Sequence, residues 1–568
     1  MQRAPRLRPR RAIWFGAVAA LLALAPFALP PYPLALLTLT LVYGLFAFGL
    51  DISWGRAGVV SIGHAAFFGL GAYGWAVAGR AGLPGELGGV VGVLLAVAVA
   101  VVVGFAGLGR RASASTMAIL TLAVTLLFEQ LARTWSDVTN GSNGIVVRSR
   151  GLIPDYYVTL LVVLVVVAVV WWFVLRGRAG RRYLAVHLNP DRAAHLGIDV
   201  RATRISSFAI SAGVAALAGA VAAPVMGLVS PTAGGIIMST QVLVWLAVGG
   251  RGSIIGAFAG AILVTMGQQY LGEAIGSWYL LVLGIVFVIV VRFAPGGLAG
   301  LVRSLLRRPA HSAAAQDAHL VAAPPRRRPK AEPAPGASAV EVAGIRKHYG
   351  ATSVLDGIDL RVPVGESLCI IGPNGAGKTT LLNIVAGDID ATSGRVLVAG
   401  VDATKWRIHR RARAGIGKVF QIPSVFTELS PADNLALARS EALEPRPLPP
   451  ALARFEQDTG RAASALPLAD RRSLELAMVL AWGPDIVILD EPAAGLSHEE
   501  SVALARLLRA VASETGATLI VIEHDMEIVR ELADRVVVLA DGRFLAEGRL
   551  DEIAAREDVK RAYLGAAT

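Results

Sequence analysis

Gly372-Pro373-Asn374-Gly375-Ala376-Gly377-Lys378-Thr379-Thr380 fits the pattern G-x-x-x-x-G-K-[ST], and its reading decides the fold of the second half of the chain. A triphosphate needs several backbone N–H groups converging on its oxygens. Gly372, Gly375 and Gly377 permit positive φ and close approach, Lys378 supplies a point charge, and Thr379 offers a hydroxyl to Mg²⁺. Asn374, Ala376 and Thr380 complete the cradle. The apolar run Ser367 to Ile371 is expected to enter the loop as a buried parallel strand, and Thr380 to Val385 to leave it as a helix. The ligand expected here is a nucleoside triphosphate with Mg²⁺.

Working outward, the 568 residues are 54% hydrophobic and carry a formal net charge of +12, but charge and apolar residues are not evenly mixed. Residues up to about Arg308 are poor in acids and rich in Val, Leu, Ala and Gly, whereas the part after Val340 has the charge density of a soluble α/β domain. Much of the basic excess flanks apolar segments, at Arg3, Arg6, Arg8, Arg10, Arg11, Arg110, Arg111, Arg176, Arg178, Arg181, Arg182, Arg303, Arg307 and Arg308. That is the positive-inside pattern, and it requires no nucleic acid partner. The single Cys369 allows no intrachain disulfide and fits a reducing, cytosolic face for the second half.

The first half reads as a polytopic all-α membrane domain of about ten spans. Ile13 to Leu29 is long enough to cross, and the apolar segments that follow it argue against a cleaved signal peptide. They run roughly Leu34 to Ile52, Ile62 to Ala78, Gly88 to Gly107, Met117 to Leu131, Tyr157 to Leu175, Ile205 to Leu228, Ile236 to Val248, Ile254 to Tyr270 and Trp278 to Phe293. An even count places both Arg-rich ends and the nucleotide domain in the cytoplasm. Ile236 to Val248 is short for a full crossing, and Gly249-Gly250-Arg251-Gly252-Ser253 breaks it from the next segment, which predicts an irregular helix pair. Asp51, His64 and Glu129 are costly in lipid and are expected to face the bundle interior or water. For His64 two roles stand open, bonding between helices and contact with the transported solute. Asn189 to Gly197 has a helix cap before it and a glycine stop after it, and reads either as a short cytoplasmic helix or as a solvated loop. The domains are expected at 1–307 for the membrane part, 308–339 for an Ala/Pro/Arg-rich unfolded linker, and 340–568 for the nucleotide domain. Arg326 to Lys330 in the linker could touch anionic lipid headgroups.

In the nucleotide domain, Tyr349 is placed one strand-turn-strand unit before the loop, where its ring could stack on adenine or serve as an ordinary turn aromatic. Ile486-Val487-Ile488-Leu489 is an apolar strand ending in Asp490-Glu491, expected beside the phosphate strand. Asp490 there can hold the Mg²⁺ shell, and Glu491 can polarise a water for in-line attack on the γ-phosphorus. A third strand, Thr518 to Ile522, ends in Glu523-His524-Asp525, from which His524 could meet the γ-phosphate.

With these residues the second half resembles the ATPase of an ABC transporter. Gly372 to Thr379 is similar to the Walker A loop, Val487 to Glu491 to the Walker B strand, Phe420-Gln421 to the Q-loop and Glu523-His524 to the H-loop. Glu491-Pro492-Ala493-Ala494-Gly495-Leu496 and the tail Gly548 to Gly565 narrow the likeness to the branched-chain amino acid importers. Gly58 to Tyr73, Leu196-Gly197-Ile198, Ala247 to Ser253 and Phe293 to Leu298 resemble the permease of the same importers. The resemblance implies a fold with the membrane domain followed by a cytosolic α/β P-loop ATPase, in the inner membrane of the cell. It implies catalytic roles for Glu491, His524 and Gln421, and Mg²⁺ ligation by Thr379, Gln421 and Asp490. It also implies that Asn189 to Gly197 is the coupling helix, and that a second permease subunit, a second ATPase subunit and a substrate-binding protein complete the transporter.

One position departs from the pattern. Where such ATPases carry Leu-Ser-Gly-Gly-Gln, this chain has Leu466-Pro467-Leu468-Ala469-Asp470, so Pro467 removes a hydroxyl and an N–H and Ala469 puts a methyl where backbone must approach phosphate. Losing hydrogen bonds to a charged group at roughly 1.5 to 3 kcal/mol each predicts a clamp weakened at least about tenfold. Import of urea, amides or aromatic acids, and an ATP-binding scaffold with impaired hydrolysis, are the alternatives to branched-chain amino acid import.

Overall fold

The computed structural model describes residues 9–108, 114–276, 278–294, 296–305, 337–442 and 445–564. The linker expected at 308–339 lies outside the described residues but for its last three positions, and so do Arg3, Arg6, Arg8, Arg110, Arg111, Arg307, Arg308, Pro295 and Gly565. By its internal contacts the chain divides into two units, Met1–His187 with Arg201–Ala318, and Leu188–Val200 with His319–Thr568.

The first unit is helical. Its principal helices are α1 (Pro31–Ala57), α2 (Ala65–Arg80), α3 (Gly85–Gly107), α4 (Ala114–Thr134) and α5 (Leu152–Val169). After α6 (Pro190–His195), which belongs to the second unit, come α7 (Val200–Met226), α8 (Ile236–Gly249) and α9 (Ile254–Ile275). Among the described residues five helices are long and apolar enough to cross a membrane, or six if the pair α8 and α9, bent by 118°, counts as one span. The expected count of about ten is not reached. The Ile62 to Ala78 run forms a helix only from Ala65, and at 16 residues α2 is about 24 Å long against a hydrocarbon core of about 30 Å. Trp278–Phe293 is equally short. Hydropathy counts each apolar run as a crossing, whereas the backbone delays the helix of the Ile62 to Ala78 run until after Gly63.

Helix α1 is the axis of this unit, with Leu45, Phe46, Phe48 and Leu50 at 1% exposure or less. Elsewhere the helices approach through small residues. A Cβ on Gly219 of α7 would lie 1.9 Å from the Phe68 carbonyl oxygen, and one on Gly260 of α9 would lie 2.0 Å from that of Trp245. With no water to expel between helices, such backbone proximity is what association in lipid rests on. The break between α8 and α9 is tied to α1, because Asp51 accepts from the Gly252 N–H at 2.6 Å and pairs with Arg56 at 3.3 Å, while Arg56 donates to the Gly252 carbonyl. His64 is fully buried, stacked on Phe46 at 5.6 Å and 3.3 Å from the Ser211 hydroxyl. Glu129 lies nearer the surface and pairs with Arg133 at 2.6 Å.

The second unit is α/β. Strands β1 (Ser338–Tyr349), β2 (Thr352–Pro363) and β4 (Ser393–Val398) form an antiparallel sheet with the short Val401–Asp402 strand. Between β2 and β4 come β3 (Ser367–Ile371) and α10 (Lys378–Ala386). Then follow β5 (Ile416–Val419), α11 (Pro431–Ser440), α12 (Leu468–Trp482), β6 (Ile486–Asp490), α13 (His498–Thr515), β7 (Thr518–Ile522), β8 (Arg535–Ala540) and β9 (Arg543–Gly548). The main sheet has the order β9-β8-β3-β7-β6-β5, parallel except at β9. This corrects the expectation that β6 lies beside β3. Ile520 of β7 pairs with Leu368 on one side and Ile488 on the other, so β7 separates them. All five residues of β7 are buried, as a strand covered on both faces must be.

Two outcomes follow for the fold. Gly219→Val must push α2 and α7 apart at a cost of about 1–3 kcal/mol, whereas Gly267, with nothing near its Cβ position, accepts Ala. Thermal unfolding in detergent should show a lowered midpoint for the first variant and an unchanged one for the second. Cys369, at 0% exposure on β3, has its thiol pKa pushed up by burial, so a maleimide should label it only after denaturation.

Candidate functional site

The site begins where β3 ends. Gly372 sits at φ 148°, and a Cβ there would lie 2.0 Å from the Leu539 carbonyl oxygen of β8, so only glycine lets the chain turn at this point. Gly377, at φ 100°, caps α10 and packs beside Leu355 and Val354 of β2. Lys378 is 8% exposed and donates to the carbonyls of Gly372 at 2.7 Å and Pro373 at 2.9 Å, which folds the loop around its ammonium. Burial lowers its pKa, while Glu491 and Asp490 work in the opposite direction. Asn374, Gly375 and Thr379 are exposed on the outer face of the loop, Gly377 and Thr380 are half-buried, and Ala376 is buried.

Parallel strands deliver the other groups to the same edge. Asp490, at the end of β6, is 3% exposed, has its pKa raised by burial, and accepts from the Thr379 hydroxyl at 3.3 Å. Helix α10 thus reaches β6 although β7 stands between β3 and β6. The Thr379–Asp490 contact is a hard-oxygen pair of the kind Mg²⁺ prefers, and among the described residues no group of three His, Cys, Asp or Glu could hold a metal. A cation there would take its remaining ligands from phosphate and water. Glu491 is a non-glycine residue at φ 48°, a conformation costing about 1–2 kcal/mol, and its N–H donates to the Ile522 carbonyl at 3.0 Å. Gln421 donates from Nε2 to Glu491 Oε2 at 3.0 Å. His524 lies beyond the end of β7 with its side chain 65% exposed. Tyr349 stands at the end of β1, 53% exposed, with the Lys347 ammonium 4.8 Å from its ring centre.

Three residues to which the motif reading gave no role of their own hold this arrangement. Arg472 on α12 donates to the carbonyls of Glu491 at 3.0 Å and Pro492 at 2.6 Å, and to that of Gln421 at 3.0 Å, so one guanidinium locks the loops bearing two site residues. Glu523, 1% exposed, accepts from the N–H groups of Ala493 and His524. Lys418 at the end of β5 donates to Asn383 and Asp388, both at 2.6 Å. Their sequence signal was slight, since charged residues beside motifs are usually solvated.

The segment Asn189 to Gly197 forms the short helix of the two readings left open, α6. Asn189 Oδ1 accepts from the Arg192 N–H at 2.9 Å, and Gly197 stops the helix at φ 82°. Asn189 also donates to the Ser424 hydroxyl at 3.0 Å, and His195 bonds Asp388 at 2.8 Å with its ring edge-on to Phe420. Phe420 adjoins Gln421. At the departing position, Pro467 precedes α12 with no side-chain cap, Leu468 is exposed, and Asp470 pairs with Arg454 at 2.7 Å. The Leu-Ser pairs Leu429-Ser430 and Leu496-Ser497 are helix starts, where Ser430 caps α11 and Ser497 caps α13. Between α11 and α12 the described residues form only single turns, at Pro450–Ala453, Arg454–Glu456 and Ala463–Ala465.

Comparison with known proteins accords with this geometry. Residues 32–291 match the family model described as branched-chain amino acid transport system / permease component, and residues 355–494 match that described as ABC transporter. The high-affinity branched-chain amino acid transport ATP-binding protein BraF of Pseudomonas aeruginosa is 33% identical over 250 residues, covering 40% of this chain and 98% of that protein. LivG of Escherichia coli, of the same description, is 32% identical with the same coverage. A crystal structure of a nucleotide-free ATP-binding cassette from an ABC transporter aligns over 40% of this chain and 98% of its own, at 24% identity and a TM-score of 0.35. A relative matched over nearly its whole length, beside a permease match across the apolar helices, fixes the kinship: the chain belongs to the ABC transporters, and joins a permease component of the branched-chain amino acid transport system to an ATP-binding component in one polypeptide.

Proposed function

We propose that the chain drives import of branched-chain amino acids across the inner membrane, as the fused permease and ATPase of a transporter completed by a second permease, a second ATPase and a substrate-binding protein. The observation that carries this reading is the gathering of Lys378, Asp490, Glu491 and Gln421 at one sheet edge, with His524 beyond the neighbouring strand end, in a chain whose first half is a permease.

In this reading the N–H groups of Asn374 to Thr380 and the Lys378 ammonium bind the β- and γ-phosphates, with Tyr349 stacking on adenine. Lys378 exchanges its two carbonyl partners for phosphate oxygens as nucleotide enters. Thr379, Asp490 and Gln421 would hold Mg²⁺, which would neutralise charge on the phosphates. Glu491 takes the proton of the attacking water, Gln421 orients that water through its bond to Glu491, and His524 contacts the γ-phosphate. Pairing of two ATPase domains around ATP moves α6 and exposes the membrane path alternately to each face.

The uncapped Pro467 start of α12 makes the two ATP sites unequal. The site built from Lys378, Glu491 and His524 is completed by the clamp of the partner ATPase and hydrolyses ATP, whereas the partner's loop faces Pro467 and Ala469.

Proteoliposomes holding the full assembly should accumulate leucine with ATP inside, and Lys378→Ala should abolish accumulation; uptake of urea or an aromatic acid in leucine's place would reassign the solute. Glu491→Gln should lower ATP turnover of the assembly by about a hundredfold or more. The corresponding change in the partner ATPase should leave over half of that turnover, and equal losses would refute the inequality.

A further inference from the structure

Glu475 of α12 is fully buried, and the cation that faces it comes from the permease part of the sequence. Its Oε1 accepts from the Phe420 N–H at 3.2 Å and lies 3.5 Å from Arg192 Nη1, while Oε2 has no partner among the described groups. The other charged groups around it are engaged elsewhere. Arg472, one turn earlier on the same helix, is spent on the carbonyls of Gln421, Glu491 and Pro492, and the Lys418 ammonium on Asn383 and Asp388. His195, the other titratable group on the buried face of α6, bonds Asp388. Arg192 is itself 1% exposed, and donates to the carbonyls of Lys418 at 2.9 Å and of Glu475 at 3.3 Å.

We infer that Glu475 is a recognition group, and that its groove selects a permease segment bringing a buried guanidinium, so that this ATPase pairs with Leu188–Val200 of its own chain and not with the segment of the second permease. The inference rests on the proposed importer only for the existence of that second segment. A buried carboxylate deprived of its counter-ion is heavily penalised, on the order of a hundredfold in occupancy or more. The rim adds contacts that are polar but less buried: Arg413 donates to the Gly197 carbonyl at 2.8 Å, and His409 meets Asp199 at 3.4 Å. Because the carboxylate lies beneath both, it sets the selection while the rim sets the register.

Acidity supplies an independent arm. Burial pushes the Glu475 pKa up to about 7, with Arg192 first among the influences holding it down and Arg472 and the N–H groups of Phe420 and Ser424 also acting in that sense. Removing Arg192 raises it further, so protonation relieves the penalty as pH falls from 8 to 6.

The test uses the full chain in the assembled transporter, with Asn189→Cys and Ser424→Cys joined by a short bis-maleimide; Cys369 is buried and does not compete. The expected product is an internal link, a single polypeptide carrying one linker. Arg192→Met should slow linking at pH 8 at least tenfold, Arg192→Lys should recover most of the loss, and Arg192→Met with Glu475→Met should link faster than Arg192→Met alone. Linking in Arg192→Met, taken relative to the parent at the same pH because the thiolate fraction falls for both, should also recover toward pH 6. Parental linking in Arg192→Met, additive losses in the double variant, or a product joining two polypeptides would each overturn the inference. Linking is scored without solute, so a failure to import leucine would not bear on it.

Discussion

Backbone direction is the constraint on which the ATP site depends. Strands β8, β3, β7, β6 and β5 run parallel, and parallel strands place all their carboxyl ends on one edge of the sheet. The phosphate loop after β3, the carboxylates after β6 and the histidine after β7 therefore meet, although 146 residues separate Lys378 from His524 in no motif's reckoning of neighbours. Register sharpens the arrangement, since Ile522 pairs with both Ile370 and Asp490 and so levels the three strand ends. Side chains then fix what the sheet delivers: Glu491 keeps its left-handed backbone because Ile522 accepts its N–H and Arg472 grips its carbonyl.

A different force governs the permease part. Its helices offer lipid an apolar surface, so burying apolar area gains little, and close backbone approach at Gly219 and Gly260 takes its place. Polar groups are used sparingly and in pairs. Asp51 and Arg56 close over the backbone of Gly252, which satisfies an irregular turn that lipid could not. The turn is thereby held as part of the structure while α8 and α9 diverge from it.

The two halves differed in how plainly their sequence spoke. Around Lys378, Asp490 and Glu491 each residue type fits a local chemistry, so motif and spacing suffice to place Lys378 at the helix start after one strand and the two carboxylates at the end of another. The order of those strands was not legible: nothing in Ile486 to Asp490 reveals that β7 intervenes, because pairing partners are chosen by the assembled sheet. Nor could Arg472, Glu475 and Arg192 be found, since their roles arise from groups 19 to 283 positions away. The membrane segments were legible as apolar runs but not all as crossings, because helices such as Ala65–Arg80 and Trp278–Phe293 come out too short to span. Asn189 and Gly197 offered a cap and a stop for α6, as capping is a local affair, but left helix and solvated loop open until the groove contacts were seen.

The central claim is that one polypeptide builds part of a membrane path and consumes the nucleotide that moves it. The most direct measurement is the rate of ATP hydrolysis by the assembled transporter in liposomes, with the solute-binding protein added empty and then loaded. The account requires the loaded protein to accelerate hydrolysis several-fold, because a signal from the membrane part must arrive at Gln421 and Glu491. Identical rates with empty and loaded protein would contradict it.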